Sequence, residues 1–543
     1  MEPKALIEQG DKLFSKRVTL MSLWQEVAEN FYPERADFTV ERVIGDEFAD
    51  NLSTSYPLLV RRDLGNSLGT MMRPTSIDWF HMRTMDEDGE DQPGKEWLEW
   101  ATGKMKRAMY DRRSLFTRAS KEGDHDIAAF GQCVKTVELN RYATGLLYRC
   151  WHLRDVAWCE NAEGATDTVH RKWKPAARDL VEMFGDRVHQ RVTDCVSGAK
   201  KEPYKEIGCR HIVVPADQYD GEYRGKGKAR YVSIYLDADN EHVMEAVGQN
   251  YMMYIIPRWQ TVSGSQYAYS PATVAALPDA RLLQSMTRTI IEAGEKATNP
   301  PMIAVQEAIR SDIAIYAGGI TWVDQEYDEK MGEVLRPLSQ DKSGLPLGIE
   351  MQQSAQAMLR EAFFLNTLSL PQNGPEMTAY EVGQRIQEYI RQASPIFEPL
   401  EDEDNGRVCE ATFDLMLRAG AFGSPEDIPQ SLRGADIGFR FESPLHDAIE
   451  KQKGQKLMEA VGLLGQVLPV DPTAAAQLDF KTAFRDALSS IGMPAKWLRS
   501  EDEADAVVEG QQAQQEAQAL LEDLSAGAQV ATQVGEANQA LAA

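Results

Sequence analysis

The chain has 543 residues, 43% of them hydrophobic and 26% charged, with 84 acidic side chains against 58 basic ones and a formal net charge of −26. That length and apolar content supply a large core shared among about two to four domains or lobes. The acid excess excludes a general nucleic-acid binder, because phosphates are repelled, and the lack of any run of about 18 apolar residues argues against a membrane span.

In chain order, the first residues, MEPKALIEQGDKLF, lack a charged-then-apolar signal pattern, so export is not expected. Residues 5–31 read as one amphipathic helix carrying Leu13, Leu20, Trp24, Val27 and Phe31, closed by Pro33. Further helices are expected over 56–72, ended by Pro74, and over 94–110 and 114–130. At Gly131 the period changes. QCVKTVEL, GLLYRCWHL and DVAWCE are rich in β-branched and aromatic residues and read as strands. A short helix near 176–184 follows. CRHIVVP, ARYVSIYL, HVMEAVG and YMMYIIPRW then add strands, so the first half is α+β with a mostly antiparallel sheet.

PDARLLQSMTRTIIEAGEKATNPP predicts a helix over 279–298. Leu283, Met286, Ile290 and Ala297 recur on one side and Arg281, Gln284, Arg288, Glu292 and Glu295 on the other. Asn299, Pro300 and Pro301 stop it. Pro300–Pro346 is a compact stretch holding MIAV and IAIYAGGITWV, and a second helix, 347–366, follows it. Two helices bracketing a small module predict an antiparallel pair with a cap at its tip. TLSLPQNGPEM (367–377) is a loop by its Pro, Asn and Gly content. Thr378 and Glu381 fit a capping box, and Ser394 with Pro395 fits N-cap and N1 of a helix ending near Gly420. Ser443 and Pro444 open another helical run, and helical segments are expected near 479–491 and 501–524. No Lys or Arg occurs after Arg499, and the last forty residues, rich in Gln, Ala and Glu, are expected to end in disorder.

Catalytic chemistry finds little support. There is no P-loop; RGKGK at 224–228 has the wrong spacing and reads as a basic hairpin or loop tip. GDHD puts Asp124, His125 and Asp126 side by side, where neighbours on one helix point apart instead of converging on a metal. Cys150, His152 and Cys159, with Cys195 or Cys209, match no common zinc module, and the six cysteines read as thiols in a reducing compartment. The acidic run EPLEDED (398–404) reads as a solvated face or, less simply, a cation site. No nucleophile, base and oxyanion site assembles, and no cofactor, metal or catalytic residue is assigned.

In this order, GDEFADNLSTSYPLLVRRDLGNSLGTMMRPTSIDWFHM, DIAAFGQCVKTVEL, YIIPRWQTVSGSQYAYSPATVAALPDARLLQ, ATNPPMIAV, YAGGITWV and PEMTAYEVGQRI resemble the head-to-tail connector, or portal, proteins of short-tailed bacteriophages over roughly residues 1–425. The chain departs from that family at YAYSP (267–271), where many members carry a Tyr-Gly pair. The resemblance implies an α+β portal fold: a wing at 1–275, a stem helix at 276–298, a small α/β clip at 299–346, a second stem helix at 347–366, a tunnel loop at 367–377, wing helices at 378–425 and a helical crown with a disordered tail at 426–543. It implies a dodecamer at one capsid vertex of the virion, assembled in the host cytoplasm. Double-stranded DNA passes through it without sequence specificity. The implied partners are the terminase motor, tail adaptor and tail tube proteins, and capsid with scaffold or internal core proteins.

In that frame Arg281, Arg288 and Lys296 either touch phosphate transiently or pair with Glu292 and Glu295 along the helix. Net repulsion in the rest of the wall would keep DNA from sticking. Leu368, Leu370, Gln372 and Asn373 are the loop candidates for DNA contact, with a subunit-contact loop as the other reading. Gln306, Arg310, Tyr316, Trp322 and Tyr327 are the clip candidates for contact with motor and adaptor. Two other classes compete: a packaging-associated enzyme such as a terminase-like nuclease or motor subunit, and an internal, scaffold-like virion protein.

Overall fold

The computed structural model describes residues 2–298 apart from 44, 48, 50–51, 75–77, 86–90, 199–200 and 228. It also describes 302–304, 335–337, 344–368, 388–441 apart from 389–390, 394 and 435, and short pieces between 457 and 507. In chain order come α1 (Pro3–Lys16), α2 (Val18–Phe31), α3 (Tyr56–Met72), β1 (Phe80–Thr84), α4 (Gln92–Met109) and α5 (Phe116–Phe130). Strands β2 (Val134–Leu139), β3 (Leu146–Trp151), β4 (Val156–Glu160) and β5 (Thr166–Trp173) follow, then α6 (Ala177–Phe184) and α7 (Gln190–Ser197). Next are β6 (Cys209–Pro215), β7 (Tyr231–Asp237), β8 (His242–Gln249) and β9 (Tyr254–Ile255). The chain continues through α8 (Leu277–Thr298), β10 (Met302–Ala304), β11 (Leu335–Pro337), α9 (Gly344–Ala362), α10 (Leu365–Leu368), a helix at Arg407–Arg418, β12 (Ile437–Phe441) and a helix at Phe480–Ser490.

The chain divides into two compact units. The larger comprises Met1–Trp79 and Arg107–Ala419. Its main sheet is a five-stranded antiparallel meander in the order β4-β5-β6-β7-β8, beside a three-stranded sheet ordered β3-β2-β9. Ile212, Val214, Val232 and Ile234 alternate along β6 and β7 and bury with Leu6 of α1, while α6 and α7 bury Leu180, Phe184 and Val192 with Cys209 and Met244. This is the period-2 pattern that CRHIVVP and ARYVSIYL announce. Trp24, fully buried, stands within 6.3 Å of the rings of Phe38, Phe130 and Tyr267, so α2, α5 and the segment before α8 share one aromatic centre. The smaller unit comprises Phe80–Lys106 and Gly420–Ala543. In it β1 pairs antiparallel with β12, Phe80 opposite Phe441, and Phe422 sits between Trp97 and Trp100.

The expected single helix over 5–31 is two helices. The backbone breaks at Arg17 (φ −105°, ψ 11°), whose side chain is 2% exposed and donates to Leu153 O at 2.6 Å while lying over Phe14 and Trp24. Satisfying a buried guanidinium outweighs one helical turn. Strand β5 and helix α7 lie where the sequence displays neither. The second long helix breaks at Phe364 (φ 56°) before 366, as Phe363 packs on Phe31 at 5.4 Å and Phe364 on Trp259 at 6.2 Å.

Candidate functional site

Helices α8 and α9 form an antiparallel pair. Thr287 Oγ1 accepts from Gln352 Nε2 at 2.9 Å, and Gly348 lies where a side chain would meet Ile290. One end of the pair is anchored. Leu277, Ala280, Leu283 and Thr287 are the buried residues of α8, and Ala355 and Leu359 are buried in α9. Gln284 reads the backbone of the loop before α3, accepting from Ser53 N and Thr54 N at 2.8 and 2.9 Å and donating to Thr54 O at 2.9 Å. Tyr56 OH donates to Gln356 O at 3.3 Å. The other end is exposed: past Thr287 no described side chain of α8 is buried, and Ile291, Leu347, Ile349 and Met351 are 41–60% exposed. Between the two helices, β10 pairs with β11, Met302 opposite Pro337, and closes the ends of the inserted stretch.

The cations of α8 differ from one another. Arg281 Nε donates to Glu26 Oε1 of α2 at 2.6 Å, a partner that helix spacing could not show. Arg288 pairs with Glu292 one turn on, at 3.5 Å, both well exposed. Such a pair contributes about 0.3–0.5 kcal/mol and breaks readily. Lys296 is exposed and has no ion-pair partner among the described residues. Leu368 ends the short helix α10 and is 7% exposed, so its side chain packs inward and is not a free loop contact. Leu370, Gln372 and Asn373, and Gln306, Arg310, Tyr316, Trp322 and Tyr327, lie outside the described residues.

Further along, the chain passes through a π-helical segment, Glu401–Gly406, and this is where the acidic run proves to be something else. Asp404 is fully buried and meets both Lys135 and Arg73, the latter at 3.0 Å; Arg73 also meets Asp124 and donates to Asn405 Oδ1 at 2.8 Å. Asn405 Nδ2 donates to Met72 O at 3.1 Å. Burial alone would lift the Asp404 carboxyl, but Lys135 and Arg73 outweigh it and hold the group below the usual range. Glu403 takes Arg258, at 2.8 Å from its backbone N–H and at 3.0 Å from Nη2. The run is therefore a solvated face only at Glu398 and Asp402, which are exposed, while Asp404 and Glu403 bolt the segment to the end of α3, through Arg73 to α5, to β2 and to Arg258. Losing one partner of a buried pair costs about 3–5 kcal/mol. A signal existed in the sequence, a lysine set among apolar residues in the strand QCVKTVEL.

The neighbours in GDHD do point apart: Asp124 to Arg73, His125 Nδ1 to Arg61 Nη1 at 3.1 Å, and Asp126 to Arg35 at 3.2 Å. Burial with Arg61 alongside pushes His125 down to about 4. The suspected zinc residues are likewise committed separately, Cys150 Sγ to Asp126 at 3.7 Å, His152 to Asp37 at 2.6 Å and Cys159 Sγ to Glu160 O at 3.5 Å. Burial raises the Cys150 thiol far above its ordinary value, which makes it inert. Within RGKGK, Gly225–Gly227 form a turn, with Gly225 and Gly227 at φ 89° and 84°.

The model of the family described as "Bacteriophage head to tail connecting protein" matches residues 3–498. The "Probable portal protein" of Bordetella phage BPP-1 is 25% identical over 485 residues, covering 88% of this chain and 85% of its own. The "Portal protein" of Salmonella phage epsilon15 is 23% identical over 513 residues, covering 90% of this chain and 87% of its own. A chain from the virion of a native gene transfer agent particle aligns over 86% of this chain and 99% of its own at 10% identity and a TM-score of 0.34, a likeness too slight to bear on the fold. The chain belongs to the family of bacteriophage head to tail connecting proteins, and its function is that of a portal.

Proposed function

We propose that copies of this chain close into a ring, a dodecamer at one capsid vertex, through which double-stranded DNA enters and leaves, and that the chain itself carries out no catalysis. The observation that carries this reading is the α8–α9 pair: one end is anchored by Gln284 and Leu283, while the other offers exposed Ile291, Leu347, Ile349 and Met351 together with Arg288 and Lys296. A helix pair of that kind needs apolar partners along its length and tolerates water and polyanion on its remaining face. In this reading α8 and α9 are the stem, and neighbouring copies cover the exposed apolar side chains. Residues 299–346 are the clip, which the terminase motor and then the tail adaptors grip through Gln306, Arg310, Tyr316, Trp322 and Tyr327. Residues 1–275 and 378–425 are the wing, and 426–543 the crown. Arg288, with its weak partner, and Lys296 are the cations free to meet passing phosphate. The tunnel loop meets DNA through Leu370, Gln372 and Asn373.

The test is removal of the loop after α10. Deleting residues 369–374, which spares the buried Leu368, is expected to leave the ring intact and to impair packaging or retention of DNA in particles. Packaging at the full level would contradict the role given to the loop; failure of the ring to form would make it a structural joint.

A further inference from the structure

The stretch RAMYDRRSLFTRASKE (107–122) holds five Lys or Arg against two acidic residues in a chain whose net charge is −26. It forms the turn from α4 into α5, and Arg112, Arg113, Arg118 and Lys121 are all exposed there. Arg118 Nε donates to Glu122 at 2.9 Å. Arg112, Arg113 and Lys121 have no ion-pair partner among the described residues.

The turn that presents them is densely hydrogen-bonded. Ser114, 1% exposed, shares its one hydroxyl proton between Asp111 O, at 2.8 Å, and Met109 O, while its own N–H reaches Asp111 O at 3.0 Å. Arg113 N donates to Asp111 Oδ1 at 2.8 Å, and Tyr148 N ties Ser114 O to β3 at 2.8 Å. Leu115 is held left-handed at φ 58°, and Phe116 behind it is buried among Trp79, Tyr110 and Tyr148. A leucine in that conformation costs about 1–2 kcal/mol, so the surroundings over-determine the turn.

We propose that this turn is a sequence-independent contact for the phosphate backbone of nucleic acid, on a different element from the α8 cations. Three of its four free or lightly held cations are guanidiniums, whose planar fork matches a phosphate. The patch offers one exposed apolar side chain, Leu115, too little for the apolar centre of a protein interface. The acidic remainder of the surface is screened beyond about 8 Å at physiological salt.

The experiment measures binding of the full-length protein to a short labelled duplex of arbitrary sequence across a salt series. The wild type is expected to bind weakly, because one basic turn works against a net charge of −26. Arg112→Ala/Arg113→Ala is expected to weaken binding by about tenfold or more at low salt and to reduce the slope of log K against log salt by about two, one for each phosphate no longer neutralised. Arg112→Lys/Arg113→Lys is expected to keep most of that slope. Equal thermal melting of the variants shows that they fold alike. The double variant leaves Arg281, Arg288 and Lys296 in place, so its result is separable from any failure of the channel reading. The proposal is overturned if the wild type does not bind, if the alanine variant keeps the slope, or if polyglutamate displaces the duplex at equal charge, which would make the partner an acidic protein.

Discussion

Asp404 and Glu401 lie three residues apart in one π-helical segment; burial pushes both carboxyls up, but their neighbours carry them in opposite directions. Asp404 has Lys135 and Arg73 and stays ionised well into acid. Glu401, 8% exposed, is pushed up to about 7, first by burial and then by the like charges of Asp402 and Glu398. Because its folded pKa lies above its unfolded one, Glu401 contributes stability that is complete below about pH 4.5 and is lost as pH rises through 7. Glu401→Gln is therefore expected to raise stability on the order of 2 kcal/mol above pH 7 and to leave it nearly unchanged below pH 4.5, read from thermal melts at the two pH values. An equal effect at both would show that the carboxyl does not titrate on folding. None of this was legible in EPLEDED. Five carboxylates in seven residues read as water-facing until their cations are known, and Arg73 lies 331 residues away from Asp404.

At the scale of elements, legibility followed whether a segment's burial is apolar. Helix α8 was readable from Leu283 and the prolines at its end, and the β6–β7 pair from alternating Ile and Val. Strand β5, TDTVHRKW, was not, because it buries His170 and Arg171 and so hides its alternation: Arg171 stacks 3.8 Å over Trp151 and donates to Tyr254 OH at 3.0 Å. Pairing of β1 with β12 joins residues far apart in sequence through two short strands with little pattern of their own. The change of period at Gly131 has a sharper cause than a turn preference. Gly131 sits at φ 77° at the end of α5, and a Cβ there would collide with the backbone carbonyl of Tyr269. Backbone cannot swing aside as a side chain can. Gly131→Ala is expected to lose at least about 2 kcal/mol in denaturant unfolding. A loss below about 0.5 kcal/mol would mean that the α5 end and the segment before α8 are not held together as described.

On the scale of the whole molecule, the sequence pieces read in order pointed to a portal, and the family match over residues 3–498 agrees. What order could not reveal is that Phe80–Lys106 clusters with Gly420–Ala543, since that grouping depends on contacts such as Trp97 with Phe422. The half of the α8–α9 pair beyond Thr287 exposes Ile291, Leu347, Ile349 and Met351 in one chain. Ring closure through that half is the claim on which the wing, stem and clip assignments all rest. It is tested most directly by electron microscopy of the purified full-length protein, with the mass of the same fraction taken by light scattering. The account predicts rings with a central hole and a mass of about twelve chains. A compact dimer or tetramer without a hole would contradict it.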